Sequence, residues 1–89
     1  MPVVTIPTPL RSLTGGVDRV SASGSNVLEV LNDVSKRHPG FRERIFDGDD
    51  LRRHVNVYVN NEDIRFLEEL ETKVADNDEI GIIPAIAGG

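Results

Sequence analysis

The chain lacks cysteine altogether, although it is 89 residues long. Without a thiol, the protein cannot form a disulfide framework, bind zinc through thiolates or use a cysteine nucleophile. Long apolar runs are missing as well, since no stretch approaches the ~20 residues that span a membrane. The opening segment Met1–Thr5 also lacks the charged-then-apolar plan of a signal peptide. These absences predict a cytoplasmic protein with no membrane contact.

Basic residues are scarce relative to acidic ones. Ten Lys and Arg stand against fifteen Asp and Glu, which gives a formal net charge of -5. A surface of this sign repels a phosphate backbone, so nucleic-acid binding is disfavoured and protein surfaces are the expected partners. With 38% hydrophobic and 28% charged residues, the composition is that of an ordinary folded domain, and the length suffices for one.

Two short β-branched segments near the start predict a first hairpin. Val3–Ile6 is followed by prolines, and Arg19–Ala22 follows a turn at Gly15-Gly16. Because the two segments are adjacent in the chain, we expect them to pair.

The middle of the chain predicts one helix followed by an irregular segment. The helix should run from about Asn26 to His38 with Ser25 as its N-cap, because apolar residues recur there at helical spacing. From Phe41 to Arg53 the pattern is irregular and charged, which predicts a decorated loop or a short helix. Four apolar residues should anchor this segment to the domain: Phe41, Ile45, Phe46 and Leu51.

A second hairpin is the clearest β signal. Apolar and polar residues alternate over Val55–Asn60, and Asn60–Glu62 offers a turn because Asn tolerates positive φ. Ile64 and Phe66 should resume the alternation on a returning strand. Tyr58 lies on the polar face of the first strand, where it could be an interface residue or simply half-buried.

The last predicted strand leads to a tail. Glu79–Ile83 is apolar enough to lie centrally in a sheet, and Pro84 ends it. The order hairpin, helix, loop, hairpin, strand predicts an α+β domain over 1–84, with a mixed sheet packed on one helix. The remaining residues contain no turn chemistry and should project as a flexible tail: Ala85, Ile86, Ala87, Gly88 and Gly89.

This tail suits a terminus that must react inside another protein. Gly88-Gly89 lacks Cβ atoms, so an acyl carbon at its end can be approached from both sides. Five extended residues reach roughly 17 Å, enough to enter a deep cleft, and no side chain in 85–89 could attack an activated terminus. The dipeptide alone carries little information, since Gly15-Gly16 needs no interpretation beyond a turn.

Three segments together resemble a known family. The ending Ile82–Gly89, the strand Val55–Asn60 and the segment Glu62–Arg65 resemble the MoaD/ThiS family of ubiquitin-like sulfur carriers, through nearly the whole chain. The Thr-Gly-Gly turn at 14–16 and the Ala-x-Ala-Gly-Gly ending are most similar to its cysteine-biosynthesis branch. Asn61 and Asn77 stand where the family often has Gly; both sites would need a positive φ, which Asn tolerates.

The resemblance implies a β-grasp fold and a carrier that is not itself an enzyme. An ATP-dependent, E1-like enzyme would adenylate Gly89, and a sulfur donor would convert the terminus to a thiocarboxylate, with Ala85, Ile86, Ala87 and Gly88 inserted in the partner's active site. In the cysteine branch, a pyridoxal-phosphate cysteine synthase takes the sulfur and a zinc-dependent peptidase releases the product. ATP, pyridoxal phosphate and zinc would thus belong to partner enzymes, and no cofactor is expected on this chain.

Other functions stay open on the sequence. The family also includes the small subunit of molybdopterin synthase and the thiazole-forming carrier, and the same tail suits a ubiquitin-like modifier that forms isopeptide bonds. A third class is an interaction module with an incidental tail. His38 and His54 have no supporting ligand spacing. Five arginines could form a basic docking patch or simply be solvated: Arg42, Arg44, Arg52, Arg53 and Arg65.

Overall fold

A computed structural model of the protein describes residues 1–84. The strands are β1 (Val3–Thr5), β2 (Arg19–Ser21), β3 (Phe46–Asp47), β4 (Asp50–Leu51), β5 (Val55–Val59), β6 (Glu62–Asp63) and β7 (Glu79–Pro84). The α-helices are α1 (Val27–Arg37) and α2 (Gly40–Ile45), and 3-10 helices occupy Thr8–Thr14, Ile64–Phe66 and Glu69–Glu71. Within 1–84, no helix is both long and apolar enough to cross a membrane.

β7 lies at the centre of a five-stranded sheet. The strand order is β2-β1-β7-β5-β6, with β1 parallel to β7 and the other neighbours antiparallel. The predicted first hairpin is present, since Val4 lies opposite Val20. The mixed sheet and the central position of the last strand, both predicted from the sequence, are confirmed.

One face of the sheet and one face of α1 share a single buried core. In β5, Val55, Val57 and Val59 are buried while Asn56 and Tyr58 alternate with them on the other face. This alternation leaves the sheet with an inner face in the core and an outer face toward solvent. From α1, four fully buried residues join the same cluster: Val27, Val30, Leu31 and Val34.

The N-cap of α1 is Asn26, one residue later than predicted. Its side-chain oxygen accepts a hydrogen bond from the Glu29 N–H at 2.8 Å. Ser25 instead donates its N–H and its hydroxyl to the Glu29 carboxylate, both at 2.9 Å, and these bonds lower the pKa of Glu29. Asn26 is the cap because its extended backbone, at φ -142°, places its side chain over the first turn.

The segment after α1 is more regular than its charged sequence predicts. The short helix α2 is one of the two expected outcomes, whereas the two-stranded β3–β4 hairpin is not predicted by the pattern. Gly48 forms its turn at φ 67°, and the Arg42 guanidinium donates to the Gly48 carbonyl at 3.2 Å. The predicted anchors all contact the core, three of them buried and Leu51 partly so: Phe41, Ile45, Phe46 and Leu51.

The returning strand of the second hairpin is shorter than predicted. β6 pairs only Glu62 and Asp63 with β5, and the chain then turns into a 3-10 helix. Ile64 is buried, but Phe66 is 85% exposed, so the predicted alternation through Phe66 is wrong. The cause is Asp63, whose carboxylate accepts a hydrogen bond from the Arg65 N–H at 2.9 Å and bends the chain away from the strand.

The sequence predicts a positive φ at two asparagine turns, and the structure confirms only the first. Asn60 and Asn61 have φ of 49° and 73°, which confirms the positive φ expected after β5. Asn77 is not among the described residues with positive φ, so that expectation is wrong. There Asp78 closes the turn without a positive φ. Its carboxylate accepts from the Ala75 N–H at 2.8 Å, and its own N–H donates to the Ala75 carbonyl at 3.0 Å.

Candidate functional site

β7 leads the chain from the centre of the sheet to the predicted tail. It is paired on one edge with β1 through Glu79–Gly81 and on the other with β5 through Ile80–Pro84. Pro84 lies opposite Val55 and is the last residue of the strand, close to the predicted end. The predicted site residues lie outside the described residues, and their role stays a prediction: Ala85, Ile86, Ala87, Gly88 and Gly89.

The outer face of the sheet has open space above Gly81 in β7. Gly81 lies between Thr5 of β1 and Tyr58 of β5, and a Cβ added at Gly81 would meet no atom within 4 Å. Ile83, two residues further along the same face, is 54% exposed opposite Asn56. The strand that enters the tail therefore presents a gap followed by one apolar side chain. Tyr58 is half-buried here, which leaves both of its predicted roles open.

Asp63 and Arg65 form a bidentate ion pair at the β6 edge of the sheet. Asp63 is 8% exposed, and its carboxylate accepts from Arg65 Nε at 3.1 Å and from Nη2 at 2.7 Å. These side-chain hydrogen bonds, with help from the Arg65 backbone N–H, lower the pKa of Asp63, and the same contacts raise the pKa of Arg65. The pair locks the turn that follows β6.

The pH dependence of stability tests the ion pair between Asp63 and Arg65. A lowered folded-state pKa means that ionised Asp63 stabilises the fold. That contribution is complete above the unfolded pKa of about 3.9 and disappears as the pH falls through the lower folded value. Asp63→Asn should therefore be less stable than the wild type at neutral pH, with a gap that narrows below about pH 4. Urea unfolding, monitored by circular dichroism, measures the free energy of unfolding of the variant and of the wild type at each pH.

The control for this prediction is Asp49→Asn, which removes an exposed carboxylate from the β3–β4 turn and should leave the stability at neutral pH close to that of the wild type. A gap between the Asp63→Asn variant and the wild type that stays constant from neutral to acidic pH would contradict the assignment. It would mean that the aspartate acts by shape rather than by charge.

The turn after β6 also carries a feature that the sequence pattern does not reveal. Phe66 is 85% exposed, whereas Phe41 and Phe46 are 0% and 3% exposed, and the neighbouring Leu67 is 39% exposed. We call residues 62–71 the Phe66 turn. The signal that could have located it is the pair Asp63 and Arg65, since an Asp two residues before a donor favours a turn over a continuing strand.

The five arginines of the predicted docking patch do not form one basic surface. Arg52, Arg53 and Arg65 line a common groove of about 530 Å³, but three glutamates of the Phe66 turn line it as well. Arg42 is instead hydrogen-bonded to Asn32 at 2.8 Å, beside α1. The groove is lined by both positive and negative side chains because the chain between β6 and β7 folds back beside the arginines.

The two histidines have ordinary surroundings. His38 is the C-cap of α1 and donates its backbone N–H to the Val34 carbonyl at 2.9 Å, and His54 is exposed. Among residues 1–84, no group of three or more His, Asp or Glu side chains lies where it could hold a metal ion. The expectation that ATP, pyridoxal phosphate and zinc act on partner enzymes stays a prediction.

The strand order, the parallel pairing of β1 with β7 and the core shared with α1 define a ubiquitin-like β-grasp fold. A chain of the Amycolatopsis orientalis BexX/CysO complex superposes with a TM-score of 0.94 at 48% identity, covering 100% of both chains. Small archaeal modifier protein 1 from Methanosarcina acetivorans superposes with a TM-score of 0.88 at 34% identity, covering 99% of this chain and 95% of that one. The predicted fold class is confirmed.

Sequence comparison identifies the family within this fold. The model of the ThiS family matches residues 4–89. The sulfur carrier protein CysO of Mycobacterium tuberculosis is 47% identical over 89 residues, covering 97% of this chain and 96% of that protein. The chain belongs to the ThiS family and is a homologue of CysO, which confirms the resemblance seen in the sequence.

Proposed function

We propose that this protein is a sulfur carrier whose Gly89 is adenylated and then converted to a thiocarboxylate. The observation that carries the proposal is the ThiS family match, which extends through Gly89. The 47% identity to CysO along nearly the whole chain supports it further. In this role the protein is a substrate held by its partner enzymes rather than an enzyme.

The architecture of the sheet suits this role. β7 is paired with a strand on each edge, and its pairing with β5 extends to Pro84, so the residues after Pro84 leave from a fixed point. Residues 85–88 would carry Gly89 into a partner's active site. Their lack of side-chain nucleophiles would protect an activated acyl group from internal attack.

The two chemical steps balance with ATP and a sulfide donor. A carboxylate oxygen of Gly89 attacks the α-phosphate of ATP, and pyrophosphate leaves to give an acyl-adenylate. Sulfide then attacks the acyl carbon and AMP leaves with the oxygen, so one carboxylate oxygen is exchanged for sulfur. Adenylation is needed because a free carboxylate has no adequate leaving group.

We assign the catalysis to three partner enzymes. An E1-like adenylyltransferase/sulfurtransferase would use ATP, a pyridoxal-phosphate cysteine synthase would accept the sulfur, and a zinc-dependent peptidase would release the product. Similarity to CysO supports cysteine as the destination over molybdopterin or thiazole. A partner protein that binds this chain is supported by the CysO relative found in a complex with BexX.

Mass spectrometry tests the carrier function directly. Incubation with ATP, an E1-like enzyme and a sulfide donor should raise the mass of the wild-type chain by the difference between sulfur and oxygen. Omission of ATP should prevent the change. Cysteine synthase, but not the large subunit of molybdopterin synthase, should then consume the thiocarboxylate. If M. tuberculosis CysO is charged in the same mixture and this chain is not, the proposal fails.

A second candidate function, protein modification, is favoured by the likeness to small archaeal modifier protein 1. Small archaeal modifier protein 3 of Haloferax volcanii is also 28% identical over 65 residues. As a modifier, the chain would transfer its acyl group to a lysine amine and form an isopeptide bond. Conjugate ladders that depend on Gly89 in cell extract would support this use. Intact charging without ladders would leave only the carrier function.

A further inference from the structure

Phe66 has the largest exposed fraction among the large apolar side chains of residues 1–84. It stands at the end of the 3-10 helix after β6, with Leu67 partly exposed beside it. Scattered aliphatic residues at a surface are ordinary, but aromatic side chains concentrate at the centres of protein interfaces. This ring is therefore the strongest candidate for a contact that the described residues do not themselves make.

The turn that presents Phe66 is held rigidly on its N-terminal side. Ile64 is buried at 2% exposure, and Arg65 is fixed by its bidentate bonds to Asp63. The Leu67 N–H donates to the Ile64 carbonyl at 3.0 Å and closes the turn. A backbone held in this way loses little conformational entropy when a partner covers the turn.

The C-terminal side of the turn is held in a strained conformation. Glu69 has φ of 51°, a left-handed angle that is unfavourable for a residue with a Cβ. Thr72, which is 7% exposed, maintains it: its hydroxyl accepts from the Glu68 N–H and its N–H donates to the Glu69 carbonyl, both at 3.0 Å. Strain of this kind concentrates at binding sites, where it serves to fix a surface in one shape.

The Phe66 turn also carries most of the net charge of the protein. Its ten residues contain five carboxylates and one guanidinium, a net charge of -4 out of -5 for the chain. Within residues 1–84, four of these carboxylates make no ion pair. They are exposed on the same turn as Phe66 and Leu67: Glu62, Glu68, Glu69 and Glu71. Arg52 and Arg53 line the groove beside this turn, but five carboxylates face three arginines there. The apolar centre therefore has a mainly acidic rim, which is complementary to an apolar pocket rimmed by Lys or Arg.

The position of the Phe66 turn indicates which partner has the complementary pocket. β6 is separated from β7 by β5 alone, which places the strand that opens the turn roughly 10 Å from the strand that enters the tail. A protein that receives the tail can therefore cover the turn as well. In the proposed cycle, the adenylating enzyme acts before any sulfur is loaded, so it must recognise the protein without a thiocarboxylate. A basic surface on that enzyme would complement the acidic turn.

We propose that the Phe66 turn is a docking site for the adenylating enzyme, with Phe66 inserted in an apolar pocket whose rim is basic. The choice of this enzyme rests on the proposed function. The docking site itself involves no residue of the tail.

Direct binding to a purified E1-like adenylating enzyme, with the full-length chain and no ATP, tests this site. Phe66→Ser should weaken binding at least about tenfold, whereas Phe66→Leu should keep most of the affinity. The matched control is Val17→Ser, because Val17 is 47% exposed just before β2, at the opposite edge of the sheet. Reversing two rim charges, with Glu68→Lys and Glu71→Lys together, should weaken binding and reduce its salt dependence.

Competition separates docking from chemistry. A chain without Gly89 cannot be charged, but it should inhibit charging of the wild type, and adding Phe66→Ser should remove that inhibition. If Phe66→Ser binds as well as Val17→Ser, or if the wild type does not bind the enzyme, the docking site is refuted. If binding depends on Phe66 but no sulfur is loaded, the docking site stands and the proposed function fails. Unchanged circular dichroism of each variant excludes misfolding as the cause.

Discussion

Deletion of Gly89 should abolish thiocarboxylate formation and leave the fold intact. The proposed chemistry takes place at the terminal carboxylate, and removal of one residue both withdraws that carboxylate from the partner's active site and replaces it with that of Gly88. A misplacement of only 1 Å can cost about a hundredfold in rate, so a full residue should lower charging at least that much. Time-resolved mass spectrometry of the charged fraction measures the loss.

The matched control is Gly15→Ala in the other Gly-Gly pair. Gly15 has φ of 68° with open space around it, so alanine there should reduce stability modestly and leave charging unaffected. The thermal unfolding curve of the Gly89 deletion should overlay that of the wild type. Normal charging without Gly89 would contradict the assignment of the chemistry to the carboxylate of Gly89.

Gly24→Ala should be among the most destabilising single changes in the described part of the chain. A Cβ at Gly24 would lie 2.7 Å from the Val30 backbone nitrogen and 2.8 Å from the Glu29 Cβ. Neither atom can retreat, because Val30 is fully buried and Glu29 is held by the capping bonds of α1. We expect a loss of about 3 kcal/mol, with a fall in melting temperature of more than about 10 °C.

Gly16→Ala separates backbone strain from steric overlap. Gly16 has φ of 87° but no atom within 4 Å of an added Cβ, so alanine there should cost only about 1 kcal/mol. Urea unfolding of the two variants gives the comparison. Equal losses would show that the close approach to α1 is relieved by movement of the loop.

Much of the sheet could be predicted from the sequence because local pattern and tertiary position agree there. The alternation over Val55–Val59 specifies one buried and one exposed face, and the apolar run that begins at Glu79 indicates a strand between two neighbours. The turn at Gly15-Gly16 was predicted for the same kind of reason, since φ of 68° and 87° suits glycine best. In each case, the conformation that the local residues favour is the one that they adopt.

The errors occur where a side chain bonds to a nearby backbone group. Asn26 rather than Ser25 caps α1, Asp63 ends β6 before Phe66, and Asp78 closes a turn without positive φ at Asn77. Each of these outcomes depends on a hydrogen bond between residues two or three positions apart, and the same sequence could form several such bonds. Hydrophobic periodicity contains no information about which of them is made.

Some properties of the candidate site follow from the sequence, and others depend on the tertiary structure. The prediction of a reactive tail, the family and the absence of a cysteine nucleophile follow from the sequence alone, because they depend on which residues are present and in what order. The exposure of Phe66 does not, because the same residue in a strand of the predicted length would point into the core. The mixed sign of the groove beside it depends likewise on where the chain between β6 and β7 returns.

The sequence by itself therefore determined the α+β class, the central last strand, the family and the chemistry expected of the terminus. These properties follow from residue type and short-range order. Only the tertiary structure decided which surfaces stay exposed beside that strand: the gap above Gly81, the apolar Ile83 and the acidic turn around Phe66. Exposure depends on what packs against a residue, and those neighbours come from distant parts of the chain.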